Sequence, residues 1–355
     1  MKSAWSLAVL CFACITNAGG NAGFAQRPNQ VRGDEITPQQ QAAVEKGLEY
    51  LASHQAANGS FGSSYGESDG HAGITALAGL AFMSSGSLPG RGKYGENVAK
   101  CLDYIMNSAQ SSGLVSADNA HGVMYGHGFA TLFLGEIFGM TGNEEVKEKL
   151  KKAVRLIEQT QNSEGGWRYN PVPMDADISV TIAQIMALRA ARDAGIKVEK
   201  SVIEMAIKYV RSCQNPDGGF SYQANQGAGS AFPRSAAGVA SLYYAGIFEG
   251  SDLKRGLDYL KQATAPAGGD RFGAEMSSFY FYGHYYACQA MFLAGGEYWA
   301  GYYPAVRDQL INRQNKATGA WTGEAGEDYA TAMALIVLQM PNRYLPVFHG
   351  KGPGN

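Results

Sequence analysis

The stretch KLKKAVRLIEQTQNSEGGWRYNPVPMDADISVTIAQIMALRAA, residues 149–191, contains the pattern that decides the fold. Its first twelve residues place apolar side chains at the i, i+3, i+4 and i+7 spacing of an amphipathic helix. A glycine-rich loop runs from Gln161 to Trp167, and an almost uncharged apolar run begins at Ile178. A helix that is apolar all round must be buried on all sides. The stretch therefore predicts an outer amphipathic helix, a loop and an inner, buried helix.

The same unit recurs along the chain. Loops that are mostly opened by glutamine end at six anchor positions, which are Phe61, Leu114, Trp167, Phe220, Phe272 and Trp321. The spacings between anchors are 53, 53, 53, 52 and 49 residues. Six copies of a unit of about fifty residues are typical of a repeat architecture. The chain is therefore predicted to hold one repeat domain over residues 40–341.

Six amphipathic and six apolar helices are accommodated by two concentric rings, with the apolar set inside. This all-α arrangement is an (α/α)6 toroid. An open solenoid would need polar caps, whereas the last inner helix, which ends near Met340, is as apolar as the middle ones.

We expect the loops to stabilise the fold: paired glycines reverse the backbone, the glutamine amide bonds unsatisfied backbone groups, and the aromatic packs between repeats.

Composition excludes several classes of protein. Lys plus Arg number 29 and Asp plus Glu number 31, which gives a net charge of −2 and disfavours a nucleic-acid partner. The hydrophobic share is 45% and the charged share is 17%, which excludes a disordered chain. The 46 glycines show no collagen period, so they belong to loops.

The N-terminus has the features of a secretory signal peptide. Lys2 precedes an apolar run and the small-residue site Gly23-Phe24-Ala25. Residues 1–25 are predicted to be removed, with cleavage after Ala18 as the alternative, so that the protein is secreted or periplasmic. Residues 26–39 are expected to form a linker and 342–355 a tail. No transmembrane segment is predicted. Of the five cysteines, the three that follow the predicted signal peptide are odd in number and fall within predicted helices, which argues against a disulfide framework.

The repeated Q-x3-G-x-W/F loops resemble the QW motif of the terpenoid cyclase and protein prenyltransferase superfamily. The chain looks like a single squalene-hopene-cyclase-like toroid of prenyltransferase and squalene oxidase repeats. This resemblance implies the toroid fold, and it implies a hydrophobic, isoprenoid-like ligand in a central cavity. The same toroid carries many activities, so the resemblance is specific for fold rather than chemistry.

One segment resembles the D-x-D-D motif with which class II terpene cyclases protonate their substrates. Asp175 matches its first aspartate and Asp177 the middle, proton-donating one, whereas Ile178 replaces the third. The resemblance implies that Asp177 donates the proton. For such a site we expect Asp175, which lies just before the helix start, to orient Asp177, and ring order suggests His127 of the adjacent repeat as the residue that holds Asp177 in place. The alternative is that one of these aspartates only caps the inner helix.

Ring closure brings the starts of the inner helices to one mouth. There we expect a set of ligand-binding side chains consisting of His71, His121, Tyr125, Arg234, Tyr282, His284 and Asp328. The helix N-termini favour an anion or a buried carboxylate at this end. The aromatic residues below, which include Phe129, Phe133, Tyr285 and Tyr286, suit either an apolar cavity or a filled core.

No cofactor or metal is predicted. Phosphate-binding and nucleotide fingerprints are missing, and Asp175-Ala176-Asp177 lacks the thiol of a prenyltransferase zinc site. His284 and Cys288 at i and i+4 leave a metal open. Two functions remain. The first is a protein that binds or transforms an isoprenoid-like molecule and that, if it is an enzyme, is a class II cyclase-like isomerase or lyase. The second is a non-catalytic extracytoplasmic scaffold that binds protein or polysaccharide through its loops. The sequence does not decide the oligomeric state.

Overall fold

The computed structural model describes residues 35–62, 70–116, 122–224, 229–264 and 278–349. Within these ranges it contains two short 3₁₀ helices, Met340–Asn342 and Pro346–Phe348, and no β-strand beyond isolated bridges. The same ranges hold twelve α-helices, which are α1 (Pro38–His54), α2 (Ala72–Met83), α3 (Gly95–Asn107), α4 (Val123–Thr141), α5 (Glu144–Gln159), α6 (Ile178–Asp193), α7 (Lys200–Ser212), α8 (Phe232–Tyr244), α9 (Ser251–Ala263), α10 (Tyr280–Ala294), α11 (Gly296–Arg313) and α12 (Gly326–Leu338).

The helices alternate between an outer and an inner ring, as the hydrophobic pattern predicts. In the outer helix α5, the buried residues are Val146, Leu150, Ala153, Val154 and Ile157, which form one stripe. In the inner helix α2, all twelve residues are buried. Odd-numbered helices thus have one buried face, and even-numbered helices are surrounded by protein.

The inner ring is closed. Helices α2, α4, α6, α8, α10 and α12 each pack against the next, and α12 packs against α2. The last repeat also reaches the first through a side chain, because Gln314 Nε2 donates a hydrogen bond of 2.8 Å to the carbonyl of Ala43 in α1. This closure confirms the six-repeat (α/α)6 toroid.

The loop glutamines connect neighbouring repeats. In each complete loop the side-chain amide donates to a glycine carbonyl of its own loop and to a carbonyl of the next outer helix. The pairs of acceptors are Gly59 and Asn97 for Gln55, Gly165 and Val202 for Gln161, Gly218 and Asp252 for Gln214, and Gly319 and Ala43 for Gln314. The glutamine therefore satisfies backbone carbonyls on both sides of each repeat boundary.

Glycine is required where each loop touches the next outer helix. Gly165 has φ +100°, and a Cβ built there would lie 2.2 Å from the carbonyl oxygen of Met205 in α7. The loop aromatic beside it is buried: Trp167 is 1% exposed, and its indole N–H donates 2.7 Å to Ile157 O. These contacts support the interpretation of the loops as stabilising devices.

The C-terminal segment covers the end of the ring opposite the inner-helix N-termini. Its 3₁₀ helix Pro346–Phe348 packs against α4 and α6, and the Val347 N–H donates to Glu136 Oε2 at 3.4 Å. Part of the predicted tail is therefore packed against the toroid. The predicted signal peptide, most of the linker and residues 350–355 lie outside the described residues. None of the described helices combines the length and the apolar character needed to cross a lipid bilayer.

Candidate functional site

A cavity of about 500 Å³ opens where the six inner helices begin. This volume lies in the range of roughly 300–1,000 Å³ that small-molecule sites occupy. All six inner helices contribute to its wall, together with two loops. The lining residues are His71, Gly73, Ile74 and Leu77 of α2 and its cap, Gly122, Tyr125, Gly126 and Phe129 around α4, Tyr169, Ser179 and Tyr222 beside α6, Ala231, Pro233 and Arg234 at α8, Phe279 and Tyr282 at α10, and Glu324, Ala325 and Tyr329 at α12.

The centre of the ring is open near the mouth and filled below it. Phe129 lines the cavity and packs edge-on against Tyr285, with ring centroids 6.0 Å apart. The side chains of Phe133, Tyr285, Tyr286 and Met291 have no exposed surface. The two alternatives that the aromatic residues left open are therefore both realised, at different depths.

Asp177 caps α6 and is completely buried. Its Oδ1 accepts hydrogen bonds from the Ser179 N–H at 2.8 Å and the Val180 N–H at 2.9 Å. Its Oδ2 accepts from the Tyr222 hydroxyl at 3.1 Å and lies 3.7 Å from Arg168 Nε. Burial raises the pKa of Asp177 to about 6, although the two amides, Tyr222 and the Arg168 charge favour the ionised form. The capping geometry is present, and the carboxyl titrates near neutral pH.

Asp175 lies outside the cavity wall. It is 58% exposed and pairs with the guanidinium of Arg168. That guanidinium also lies over the rings of Tyr169 and Tyr222, at 5.1 and 5.9 Å from their centroids. Arg168 therefore lies near both carboxyls, and among the described residues Asp175 makes no hydrogen bond to Asp177.

The structure does not bring His127 to Asp177. His127 Nδ1 accepts from the Val115 N–H at 3.1 Å, and its Nε2 lies 3.3 Å from the Ala153 carbonyl. Burial lowers its pKa to about 4. Ring order places its helix next to α6, but a residue two positions after Tyr125 points to the opposite side of α4, toward α5.

Other repeats explain what His127 does. In them a hydroxyl on the inner helix accepts the N–H of the loop aromatic, and the pairs are Thr75 with Phe61, Thr181 with Trp167, Ser235 with Phe220 and Thr331 with Trp321. His127 accepts from Val115, the residue after the second anchor, in the same manner. It occupies the structural acceptor position of repeat two.

Four predicted ligand-binding residues line the cavity, namely His71, Tyr125, Arg234 and Tyr282. His71 also caps α2, because its Nδ1 accepts from the N–H groups of Gly73 and Ile74, and burial lowers its pKa. The structure therefore places these four side chains at one mouth, as the positions of the inner-helix starts predict.

Two other predicted ligand-binding residues point elsewhere. His284 is 4% exposed and its Nδ1 lies 2.8 Å from the Tyr302 hydroxyl of α11, because it sits roughly 200° around α10 from Tyr282. Asp328 accepts the Gly62 N–H at 2.9 Å and so joins repeat six to repeat one. His121 lies outside the described residues.

Sequence reasoning missed Tyr169 and Tyr222. Both line the cavity from loops, and their hydroxyls are hydrogen-bonded to each other. Each stands two residues after a loop aromatic, in Trp167-Arg168-Tyr169 and Phe220-Ser221-Tyr222. This recurring aromatic-x-Tyr pattern is the signal that could have identified them.

No group of three metal-ligating side chains occurs among the described residues. Near His284, the Cys288 thiol points to the Val337 carbonyl at 4.0 Å, and burial raises its pKa well above the usual value. A buried, protonated thiol beside a carbonyl is an ordinary core arrangement.

Solved structures with this fold carry different activities. A cellobiose 2-epimerase from Spirochaeta thermophila DSM 6192 superposes with a TM-score of 0.65 at 13% identity, covering 87% of this chain and 98% of the epimerase. The GH76A α-1,6-mannanase of Salegentibacter sp. HEL1_6, as an inactive variant with α-1,6-mannotriose, gives 0.64 at 11% identity, covering 84% and 98%. A type II terpene cyclase variant from Scytonema in complex with geranylgeranyl dihydroxybenzoate gives 0.56 at 12% identity, covering 86% and 98%. At these identities the likeness shows the fold alone.

Comparison of the sequence identifies a family, whereas the structural likeness shows only the fold. No curated protein sequence matches the chain significantly. The family model of the squalene-hopene cyclase C-terminal domain matches residues 74–247 and again 130–292, about one repeat further along. Together the two matches cover more than half of the chain, and they span five of the six inner helices, from α2 to α10. The protein therefore belongs to the squalene-hopene cyclase C-terminal domain family, within the terpenoid cyclase-like toroid superfamily.

Proposed function

We propose that the protein binds an isoprenoid-like amphiphile in the mouth cavity, with the apolar chain pointing inward. The observation that carries this proposal is the distribution of polarity along the cavity. The residues that lie furthest along their helices, Leu77 and Phe129, are apolar, whereas Arg234 and Glu324 lie in or before the first turn. An apolar floor under a polar rim suits a ligand with one polar end.

The wall is made of rings that can follow a hydrocarbon chain. Tyr125, Tyr282 and Tyr329 come from three different inner helices, and Phe279 at the rim is 53% exposed. Aromatic side chains provide large apolar contact areas while their hydroxyls keep polar partners. The Tyr282 hydroxyl, for example, donates to the Ser179 carbonyl at 3.3 Å and leaves its ring to the cavity.

The proposal is tested by equilibrium dialysis of radiolabelled geranylgeraniol against the purified protein. We expect saturable binding of one molecule per chain. Ala325→Trp places a large side chain in the cavity wall, and we expect it to weaken binding at least tenfold. Ala317→Trp, in an exposed outer loop, is the matched control and should bind as the wild type does. Equal binding by both variants would refute the location.

A carbohydrate is the second candidate. It is favoured by the same aromatic wall, because sugar rings stack on tyrosine faces, and by the sugar-acting enzymes that share the fold. Dialysis against α-1,6-mannotriose and cellobiose distinguishes a carbohydrate ligand from an isoprenoid ligand. Binding of a sugar that Ala325→Trp abolishes, together with no binding of geranylgeraniol, would replace the isoprenoid proposal.

Chemistry at Asp177 forms the further part of the proposal. The buried Asp177 carboxyl does not line the cavity, but it is hydrogen-bonded to the Tyr222 hydroxyl, which does. An acid with a pKa of about 6 would therefore pass its proton toward a ligand through Tyr222 close to neutral pH. Incubation with squalene and mass spectrometry of the products tests it. Cyclised product from the wild type but not from Asp177→Asn would support an acid role. An activity that a folded Asp177→Asn variant retains in full would leave Asp177 as a helix cap.

A further inference from the structure

Asp177 uses only one of its two carboxylate oxygens as a helix cap. Oδ1 accepts both backbone N–H groups of the first turn, and Oδ2 faces Tyr222. The cap of α5 shows that a neutral amide does the same work, because Asn143 Oδ1 accepts from Glu145 and Val146 N–H groups at 2.9 and 3.3 Å. Burying a charged carboxyl costs more free energy than burying an amide. Capping therefore does not explain why an acid stands at position 177.

The second oxygen begins a chain of hydrogen bonds that ends in the cavity. Tyr222 donates to Asp177 Oδ2, and the hydroxyls of Tyr222 and Tyr169 are bonded to each other. Both tyrosines line the cavity, whereas Asp177 has no exposed surface. A ligand thus meets the two hydroxyls and never the carboxyl.

Resting on the proposed function, we propose that Asp177 is a positioning residue that sets the direction of the Tyr222–Tyr169 hydrogen bonds and thereby selects a neutral oxygen head group on the ligand. When Asp177 is ionised, Tyr222 donates to it and Tyr169 donates to Tyr222, so the chain offers the ligand only oxygen lone pairs. When Asp177 is protonated, it donates to Tyr222, Tyr222 donates to Tyr169, and the Tyr169 hydroxyl is free to donate to the ligand. Each state keeps every hydroxyl proton on its own oxygen.

The surroundings fit this role. Burial and the neighbouring carboxyl raise the pKa of Tyr222, so the tyrosine stays protonated and remains a donor. Arg168 lies 3.7 Å from Asp177 and limits the rise of the pKa of that carboxyl, which is about 6. Among the described residues, the other titratable groups that interact electrostatically with Asp177 are Tyr125 on α4, Tyr282 on α10, and Tyr209 and Cys213 at the end of α7. All four stay neutral near pH 6, because burial raises each of their pKa values.

A ligand-free experiment tests the coupling first. The carboxyl of Asp177 is titrated by ¹³C NMR of protein labelled at aspartate, with Asp177→Asn identifying its signal. Tyr222→Phe removes a hydrogen bond to the charged form, so we expect the pKa to move upward from about 6. An unchanged pKa in a folded Tyr222→Phe variant would overturn the chain. This outcome does not depend on whether the cavity binds an isoprenoid.

A second experiment tests the head group, with farnesylacetone as a ketone that only accepts hydrogen bonds and farnesene as the hydrocarbon control. We expect the ketone to bind roughly two- to tenfold more tightly at pH 5 than at pH 8, which is the worth of one hydrogen bond. Farnesene should show no such change. His71 and Glu324 are also titratable and line the cavity, so they are alternative sources of a pH effect. An effect that comes from Asp177 must vanish in Asp177→Asn and in Tyr222→Phe. A ketone pH effect that survives both substitutions would overturn the proposal, whereas failure of both ligands to bind would overturn the proposed function instead.

Discussion

Replacing the buried Glu136 by glutamine should make the protein less sensitive to alkaline pH. Glu136 lies on α4 near the end of the ring opposite the mouth, is 2% exposed, and accepts the Val347 N–H at 3.4 Å. Burial raises its pKa to about 8 from an ordinary value of 4.5, and the amide of Val347 offsets only part of that effect. The folded protein therefore holds this proton more tightly than the unfolded chain does.

The sign and size of the change in the free energy of unfolding follow from proton linkage. Between pH 4.5 and 8 the folded state binds the proton and the unfolded state does not, so the free energy of unfolding falls as the pH rises. The slope from this one group is about 1.4 kcal/mol per pH unit. Stability from the protonated carboxyl is thus fully present below pH 4.5 and is lost by about pH 8. Glu136→Gln removes the slope, so the variant should be near wild type at pH 5 and more stable by about 3–4 kcal/mol at pH 8.

The assay is urea unfolding of both proteins at half-unit intervals from pH 5 to pH 8, and the measured quantity is the difference in free energy of unfolding. Using the difference cancels the contributions of other groups, including Asp177. Glu148→Gln, an exposed residue of α5, is the control and should give a flat difference. A flat difference for Glu136→Gln as well would refute the reasoning, because it would mean that the carboxyl is solvated in the folded state.

Further predictions concern the loops and His127. Trp167→Ala should cost roughly 3–5 kcal/mol without changing ligand specificity, because the indole is buried; a wild-type thermal unfolding curve would contradict this. Gly165→Ala should cost roughly 2–4 kcal/mol, and Gly195→Ala, which has a similar φ but no atom near its Cβ, only about 1 kcal/mol; equal losses in urea unfolding would show that the contact with the next helix does not matter. His127→Thr keeps an acceptor of the kind the other repeats use, so dialysis should show unchanged binding of geranylgeraniol; a folded variant without binding would give His127 a role at the site.

The fold follows from the sequence because its determinants are periodic. The amphipathic stripe of α5 and the apolar run of α6 differ in a way that only an outer and an inner position satisfy, and Gln161 with its glycines marks the boundary between them. Position along the inner helices also predicts the mouth, where His71 and Tyr125 are found.

Side-chain direction is what the sequence pattern did not supply. Ring order predicts which helices are neighbours, but His127 and His284 each stand two residues after a cavity tyrosine and therefore face away from it. The polar corner of the cavity comes from Tyr169 and Tyr222, whose loops have no helical period from which their position could be inferred. Helix geometry applied residue by residue places His127 and His284 away from the cavity. For Tyr169 and Tyr222, the repeated aromatic-x-Tyr pattern marks the two residues, but it does not show that they face the cavity.

Because the ring closes through Gln314 and Ala43, no repeat in it is terminal in space. A linear solenoid can lose a repeat and shorten, but here the loss of one unit would leave α12 unable to reach α2. Ring closure thus constrains the number of repeats, whereas it does not constrain the sequence of each repeat in the same way. The start of α1 and the end of α12 also meet, since the Gln40 side chain donates to the Leu338 carbonyl. A circular permutant that joins these two points, and so lacks the C-terminal segment, and that opens the chain in the exposed turn at Gly195 should therefore still close a six-unit ring.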